Sequence, residues 1–411
     1  MAQYASKLRW GEGGVDWDER INFARMREAR LAKAQSSLKK NQIAACLLAR
    51  PENIRYVTGT IGVDFIDQLR YTIAFADHDP IVYQFPPGKL LGVCPWIKPE
   101  NVRLAHQWAN GACGREATWE MAKKFAEAIK RDLQERGLEK EKLGIDKIDE
   151  PAYQALKEAG IETVNIMPTM LEARAIKTED EVNCLKMAVA IAETGWYALY
   201  NALKPGVRDR DLVAAANEAM FRAGAESVWS LTVQSGGAPP NTDKIIQVGD
   251  VVTTDFVRVT YMGYCTCYYR NIIVGRKPND KEKDMHRRSY ERMYKVIDTI
   301  KPGATTADAA KHWVTCQERG FPTEEYGWCE DLGHGLGLWL YEYPIINRLW
   351  SFDHPMTFEK GMTLAVEAME QDPYVGRTKL EEMVVVTDKG AEVFTRMPVK
   401  DMMVTNVVET A

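Results

Sequence analysis

Between residues 250 and 386 the chain sets carboxylates inside runs that are otherwise apolar, and this limits how it can fold. Gly249-Asp250-Val251-Val252-Thr253-Thr254-Asp255-Phe256 reads as a strand with Asp255 inside it. Gly361-Met362-Thr363-Leu364-Ala365-Val366-Glu367 and Lys379-Leu380-Glu381-Glu382-Met383-Val384-Val385-Val386 repeat the pattern with Glu367 and Glu381. A carboxylate removed from water without a partner is costly, so the fold must give each acid a cation or gather them. In the same stretch, Gly333-His334-Gly335-Leu336-Gly337-Leu338 places three glycines around one histidine, which lets the backbone approach something closely. Three carboxylates and one imidazole on rigid elements suit a divalent metal. Taken singly, each acid reads as the partner of an arginine or lysine, or as part of a solvent face; the joint order is the more specific signal.

The rest of the chain organises around that region. With 411 residues the sequence exceeds one ordinary domain. Residues 18–40 are helix-like, with an apolar stripe of Ile21, Phe23, Met26 and Leu31. Strands are expected at 43–48, 71–75, 81–85, 143–148 and 162–167, with a long helix over 117–137 and another from about Pro151. Strand and helix alternate, so the first part reads as an α/β domain. A boundary falls in 168–178, giving domains 1–172 and 173–411. Thr178 and Glu181 form a capping-box pattern opening a helix to about Leu203, and another helix spans about 209–223. Strands are expected at 228–234, 250–258 and 261–274, helices at 280–300 and 306–319, and a final strand at 380–387.

Composition excludes several classes. A formal charge of -5 argues against a nucleic-acid binder, which usually carries a basic face. The 11 Trp, 17 Tyr and 11 Phe argue against disorder as a main theme. No apolar run of membrane-spanning length occurs, and Met1 to Asp16 lacks a signal-peptide core. The 8 cysteines, at 46, 94, 113, 184, 265, 267, 316 and 329, include no CxxC, which fits a reduced, cytoplasmic protein.

The ordered set of an Asp after Gly-Asp-x-Val, a Gly-His-Gly-x-Gly loop, a Gly-Met-x-x-x-x-Glu strand and a Leu-Glu-Glu-x-Val-x-Val-Thr strand resembles the creatinase, Xaa-Pro peptidase and methionine aminopeptidase superfamily. The resemblance covers nearly the whole chain: Asn53-Ile54-Arg55-Tyr56-Val57-Thr58-Gly59 looks like the signature of that family's N-terminal domain, and Arg174-Ala175-Ile176-Lys177-Thr178 like its domain junction. Arg25-Met26-Arg27-Glu28, Met362 to Ala368 and Lys379-Leu380-Glu381 are most similar to the dimethylsulfoniopropionate lyase branch. The resemblance implies a creatinase-like α/β N-terminal domain followed by an α+β pita-bread domain, and a homodimer in which N-terminal residues such as Asp64 and Tyr71 reach the partner's site.

Carried over by position, Asp255, His334, Glu367 and Glu381 match the family's metal ligands. The second metal aspartate is replaced by Cys267, three residues before Arg270. Three outcomes remain open: a Cys267 thiolate joins the other donors on one softer ion such as Zn or Fe; one ion sits on His334, Glu367 and Glu381 without the thiol; or the site holds no metal, as in the creatinase branch. The expected cofactor is thus one divalent ion (Fe, Zn or Mn), or none. Two further peptidase histidines have no counterpart, one in the loop Ser235-Gly236-Gly237-Ala238-Pro239-Pro240-Asn241 and one where Tyr341 stands before Glu342. The lyase branch has an aspartate base in that later segment, Trp339-Leu340-Tyr341-Glu342-Tyr343, which here contains none. His334, Tyr341 and Glu342 are the catalytic candidates, with Glu342 reading equally as a structural carboxylate.

Trp229, Tyr264, Tyr268, Tyr269, Trp328, Trp339, Tyr341 and Tyr343 fall in the family's active-site segments, and their ring faces suit an onium group as well as they suit core packing. Arg258 is the candidate for a substrate carboxylate, Arg270 matching a family arginine that is often structural; Arg258, Trp339 and Trp229 form the substrate-binding set. The expectation is a metal-assisted lyase or hydrolase that cleaves a C–S or C–N bond in a small polar carboxylate substrate, with lyase first. An Xaa-Pro metallopeptidase with an altered centre and a non-catalytic binding module of the same fold are the alternatives. A small molecule is the expected partner, with no nucleic acid and no membrane.

Overall fold

The computed structural model describes residues 21–61, 66–235, 240–327, 332–372 and 375–407. The chain divides into two compact units, Phe23–Arg174 and one that joins the described residues before Phe23 to those from Ala175 onward. The expected residues Asp64, Gly236 to Pro239 and Trp328 lie outside the described residues.

The first unit contains α1 (Phe23–Lys40), β1 (Ala45–Leu48), α2 (Pro51–Thr58), β2 (Arg70–Phe75), β3 (Ile81–Gln84), α3 (Gly88–Leu91), β4 (Val102–Leu104), α4 (Arg115–Gln134), β5 (Leu143–Ile145), α5 (Glu150–Glu158), β6 (Thr163–Asn165) and α6 (Met167–Ala175). Its strands form one mixed sheet in the order β4-β3-β2-β1-β5-β6, with β1 antiparallel to β2 and parallel to β5. The helical spacing of Ala122, Phe125, Ala126, Ile129 and Leu133 gives α4 one apolar face, which packs into the sheet's core. Asp149 caps α5 by accepting from the Ala152 N–H at 3.2 Å. The signature around Asn53 forms α2, which ends where Gly59 turns left-handed (φ 73°) and its N–H reaches Arg55 O. Tyr71 is no candidate for reaching a partner's site: it is 2 % exposed and stacked on Tyr83 at 4.7 Å, because β2 is interior to the sheet.

The second unit opens with α7 (Glu179–Ala202) and α8 (Asp209–Arg222), followed by β7 (Ser227–Ser235), β8 (Val251–Tyr261), β9 (Tyr264–Cys265), β10 (Tyr269–Val274), α9 (Asp280–Thr299), α10 (Thr306–Ala310), β11 (Gly333–Gly335), β12 (Glu342–Ile346), β13 (Thr363–Asp372), β14 (Gly376–Thr387), β15 (Gly390–Val393) and β16 (Met403–Thr405). Both halves of the Thr178–Glu181 capping box are formed. One sheet runs β16-β10-β8-β7 with β9 beside β8, and the other β12-β11-β13-β14-β15. Side chains tie them together at β10 and β14. Asn271 donates to Thr378 Oγ1 and Lys379 O, both at 2.8 Å, and Arg270 donates to Glu381 O at 2.6 Å. The helix expected over 306–319 stops at Ala310. There the β-branched pair Val314-Thr315 is a poor helix segment, and Thr315 instead exchanges local hydrogen bonds with Glu318. The stretch expected as one strand over 261–274 is broken into β9 and β10, and the break carries Cys267.

Candidate metal centre

Register brings the acids together. In the β13–β14 ladder Glu367 lies directly across from Glu381, and in the β8–β10 ladder Asp255 lies across from Tyr269. The β10–β14 ties bring these two ladders alongside each other. Cys267, in the link between β9 and β10, places its Sγ 3.5 Å from Glu381 Oε2 and 4.0 Å from Asp255 Oδ1. On β11, His334 points Nε2 at Glu381 Oε1 across 3.7 Å. The donor atoms of Cys267, His334 and Glu381 lie within 4.8 Å of one another, and all three residues are buried. Asp255 and Glu367 adjoin this trio.

The glycines of the histidine loop have a clear steric reason. A Cβ on Gly335 would stand 2.3 Å from Tyr343 O, and one on Gly333 would stand 2.7 Å from Ala365 O. The close approach they allow is therefore to β12 and β13, and it sets His334 deep in the sheet.

Burial and crowding shift several of the ionisable groups here. The Glu381 carboxyl is pushed well above the usual carboxylate range, first by burial and then by Glu367 and Asp255. Burial and Glu367 raise Asp255 to about 7, against the opposing pull of the Tyr269 hydroxyl and Lys379. The Cys267 thiol is pushed up by burial, then by Glu381 and Asp255. Burial lowers His334, which favours a neutral imidazole. One cation is built in: Lys379 Nζ lies 2.7 Å from Glu367 Oε2 and 4.1 Å from the centroid of the Tyr269 ring. Burial alone would lower that lysine, but Glu367 and Glu381 outweigh it and hold it charged.

These residues fit a divalent ion. Glu381 Oε1 is buried and accepts no hydrogen bond, which is rare for a buried carboxylate oxygen. A neutral imidazole, a carboxylate and a thiol that loses its proton on ligation make an N/O/S donor set, which suits Zn or Fe better than Mg or Ca.

The structure distributes the other expected residues as follows. Glu342 is 1 % exposed and paired with Lys177 at 2.9 Å, and it accepts from the Trp339 N–H at 3.2 Å, so its charge is committed inside the fold. Tyr341 is 46 % exposed, with its ring 4.6 Å from that of His334. The Arg258 guanidinium lies against the rings of both Trp229 and Trp339. Arg270 is buried against Glu382 at 2.8 Å. Most of the aromatic faces are already occupied. Tyr268 stacks on Phe256 at 5.5 Å, Tyr269 is covered by Lys379, and the Tyr264 hydroxyl donates to Glu181 at 2.7 Å. Sequence reasoning gives Lys379 and Lys177 no role, although both pair with carboxylates of this region. The signal that would have exposed Lys379 is its period-two spacing from Glu381, which puts both on one face of β14.

Two family models match the chain: Metallopeptidase family M24 over residues 183–388, and the Creatinase/Prolidase N-terminal domain over residues 30–176. An Xaa-Pro dipeptidase of Pyrococcus furiosus is 29 % identical over 233 residues, covering 55 % of this chain and 64 % of that enzyme, just under two thirds of its length. A dimethylsulfoniopropionate lyase of Roseovarius nubinhibens is 25 % identical over 417 residues, covering 96 % of this chain and 91 % of that one. Among solved structures, an Xaa-Pro dipeptidase from Bacillus anthracis superposes with a TM-score of 0.71 at 23 % identity, over 92 % of this chain and 99 % of the other.

Proposed function

Since the chain belongs to metallopeptidase family M24, with a creatinase/prolidase N-terminal domain ahead of the pita-bread domain, we propose that it is a one-metal enzyme that cleaves a C–S or C–N bond in a small polar carboxylate substrate. Cys267, His334 and Glu381 hold the ion, with Asp255 and Glu367 beside them. The observation that carries this reading is the buried thiol–imidazole–carboxylate trio, whose donor atoms lie within 4.8 Å of one another. When bound, the ion would supply Lewis acidity, polarising a substrate atom near the scissile bond or a water.

The residues divide the remaining work. His334 coordinates as the neutral imidazole that its burial favours. Lys379 balances Glu367. Tyr341 is the proton-handling group, because it reaches solvent while its ring lies against His334; Glu342 is tied to Lys177 and holds the Trp339 loop in place. In an elimination, a base removes a proton from the carbon next to the substrate carboxylate, a C=C bond forms, and the bond to sulfur or nitrogen breaks with its electron pair leaving on that atom. Among the described residues His334 is the one histidine in the cluster, so protonation of a peptide's leaving amine would fall to the phenol. That ranks peptide hydrolysis second, although the Pyrococcus and Bacillus relatives are Xaa-Pro dipeptidases. The family resemblance supports a cytoplasmic homodimer as the working form.

The deciding assay offers the protein, loaded in turn with Fe, Zn and Mn, a panel of Xaa-Pro dipeptides and a panel of β-substituted propionates carrying thioether, sulfonium or ammonium leaving groups. Release of an unsaturated acid, abolished in Glu381→Gln, is expected. Turnover of any Xaa-Pro dipeptide in its place reverses the ranking.

A further inference from the structure

Arg258 follows Asp255 by three residues on β8, at a point where the backbone is left-handed (φ 53°). A non-glycine residue pays for that conformation, and an outlier of this kind on a functional strand asks for a reason. Its side chain gives one. The guanidinium carbon lies 4.1 Å from the centroid of the Trp339 ring and 4.8 Å from that of Trp229, with the two indoles 6.3 Å apart. Trp229 is 63 % exposed, so its outward position costs apolar burial and is offset by the cation it covers. The turn itself is fixed by the backbone, through the Arg258 N–H donated to Thr266 O at 2.7 Å.

The buried arginine of these strands behaves differently. Arg270 donates to Glu382, to Met397 O and to Glu381 O. The Arg258 side chain has no hydrogen-bond acceptor or ion-pair partner among the described residues, and its Nε is buried without one. A guanidinium resting against two indoles, with its donor fork unused, is pre-organised for an anion whose two oxygens match that fork. The metal cluster is close in the chain on both sides. Asp255 shares β8 with Arg258, and Trp339 belongs to the loop that follows His334, whose Gly337 carbonyl accepts from the Cys265 N–H at 2.9 Å.

We propose that Arg258, clamped by Trp229 and Trp339, is the substrate-carboxylate site of this protein. The site fixes the acid end of the substrate and reads it by charge. This rests on the reading of the neighbouring cluster as the active site.

The test titrates propionate, propionamide and tetramethylammonium into the metal-loaded protein, following indole fluorescence and heat. Propionate should bind saturably and perturb the emission, while propionamide and tetramethylammonium do neither. Arg258→Gln should weaken propionate about tenfold or more, as expected for losing a charge-assisted pair, and Arg258→Lys should recover part of it. Equal propionate affinity in Arg258→Gln, no saturable propionate binding at all, or saturable tetramethylammonium binding would each overturn the proposal. Repeating the titration on metal-stripped protein and on Glu381→Gln separates the two readings. Binding lost there but unaffected by Arg258→Gln places the carboxylate on the metal, so the Arg258 assignment fails and the active site stands. Arg258-dependent binding in a protein that takes up no metal keeps the assignment and removes the metal enzyme.

Discussion

The two faces of β14 bury adjacent glutamates on opposite terms. Glu381 and Glu382 are 0 % and 2 % exposed, and strand alternation sends them to opposite sides. Glu382 is met by Arg270 at 2.8 Å, by the Tyr294 hydroxyl at 3.4 Å and by Thr395 Oγ1. Glu381 is met by a thiol at 3.5 Å, an imidazole at 3.7 Å and two further carboxylates, and one of its oxygens accepts nothing. The first arrangement is complete as it stands. The second is complete only with a cation added. The Lys177–Glu342 pair belongs with Glu382. Burial alone therefore does not mark a functional acid here; the missing donor does.

The largest expected effect tests the complete side. Glu382→Ala removes one partner of a buried pair and leaves Arg270 to backbone carbonyls, a loss of about 3 kcal/mol, or roughly 10 °C in the melting temperature of a unit this size. Glu381→Gln, one residue away, should leave the melting temperature of the metal-free protein unchanged or higher, because it relieves crowding and breaks no pair. Thermal unfolding of both variants without metal reads the contrast. If Glu381→Gln is the more destabilised of the two, the cluster is a structural network and the comparison collapses.

Metal uptake runs the other way. Elemental analysis should find about one ion per chain in the wild type and in Glu342→Gln refolded or expressed at low temperature. Glu381→Gln should bind it more weakly by over about 100-fold, beyond the range typical of residues that only orient a ligand. Cys267→Ser is the sharper test. With cobalt bound, a thiolate ligand gives a sulfur-to-metal charge-transfer band in the near ultraviolet, which the serine variant must lack. The same change should shift preference from Zn toward Mn, as soft donors are exchanged for hard ones. A wild-type cobalt spectrum without the band returns Cys267 to an inert buried thiol.

How much of this was legible beforehand follows from the type of signal. Asp255, Glu367 and Glu381 announce themselves because an acid inside an apolar strand breaks a local pattern, and His334 because glycines bracket it. Lys379 is quieter: a lysine near the start of a strand reads as a solvated end, and its period-two spacing from Glu381 gains meaning once the register sets Glu367 across from Glu381 and Met369 across from Lys379. Glu342 has the opposite problem. It lies in the right segment for a base, but its partner Lys177 is 165 residues away, and no local pattern reveals such a pair. The overlong α10 fails for a simpler reason, since local side-chain hydrogen bonds around Thr315 replace the helix. Trp229 and Trp339 look like ring faces for an onium in the sequence, and become the walls of an arginine clamp once β7, β8 and the histidine loop are folded.

The smallest predicted effect is a pH dependence that differs between the metal-free and loaded protein. In the metal-free fold Asp255 is raised from the ordinary aspartate range to about 7, so the folded state holds its proton more tightly than the unfolded chain does. The sign follows from linkage: the contribution is fully present below about pH 4, where Asp255 is protonated in both states, and it is lost as pH rises through 7. The melting temperature of the metal-free protein should therefore fall by a few °C between pH 5 and 8. Asp255→Asn should flatten that slope, because the amide has no proton to lose. A bound divalent ion favours the ionised carboxylate and competes with the proton, so the loaded protein should show a flat or rising profile over the same interval. Parallel slopes with and without metal would mean that the ion, wherever it binds, does not neutralise this cluster, and the contrast between the two faces of β14 would then have to be explained without it.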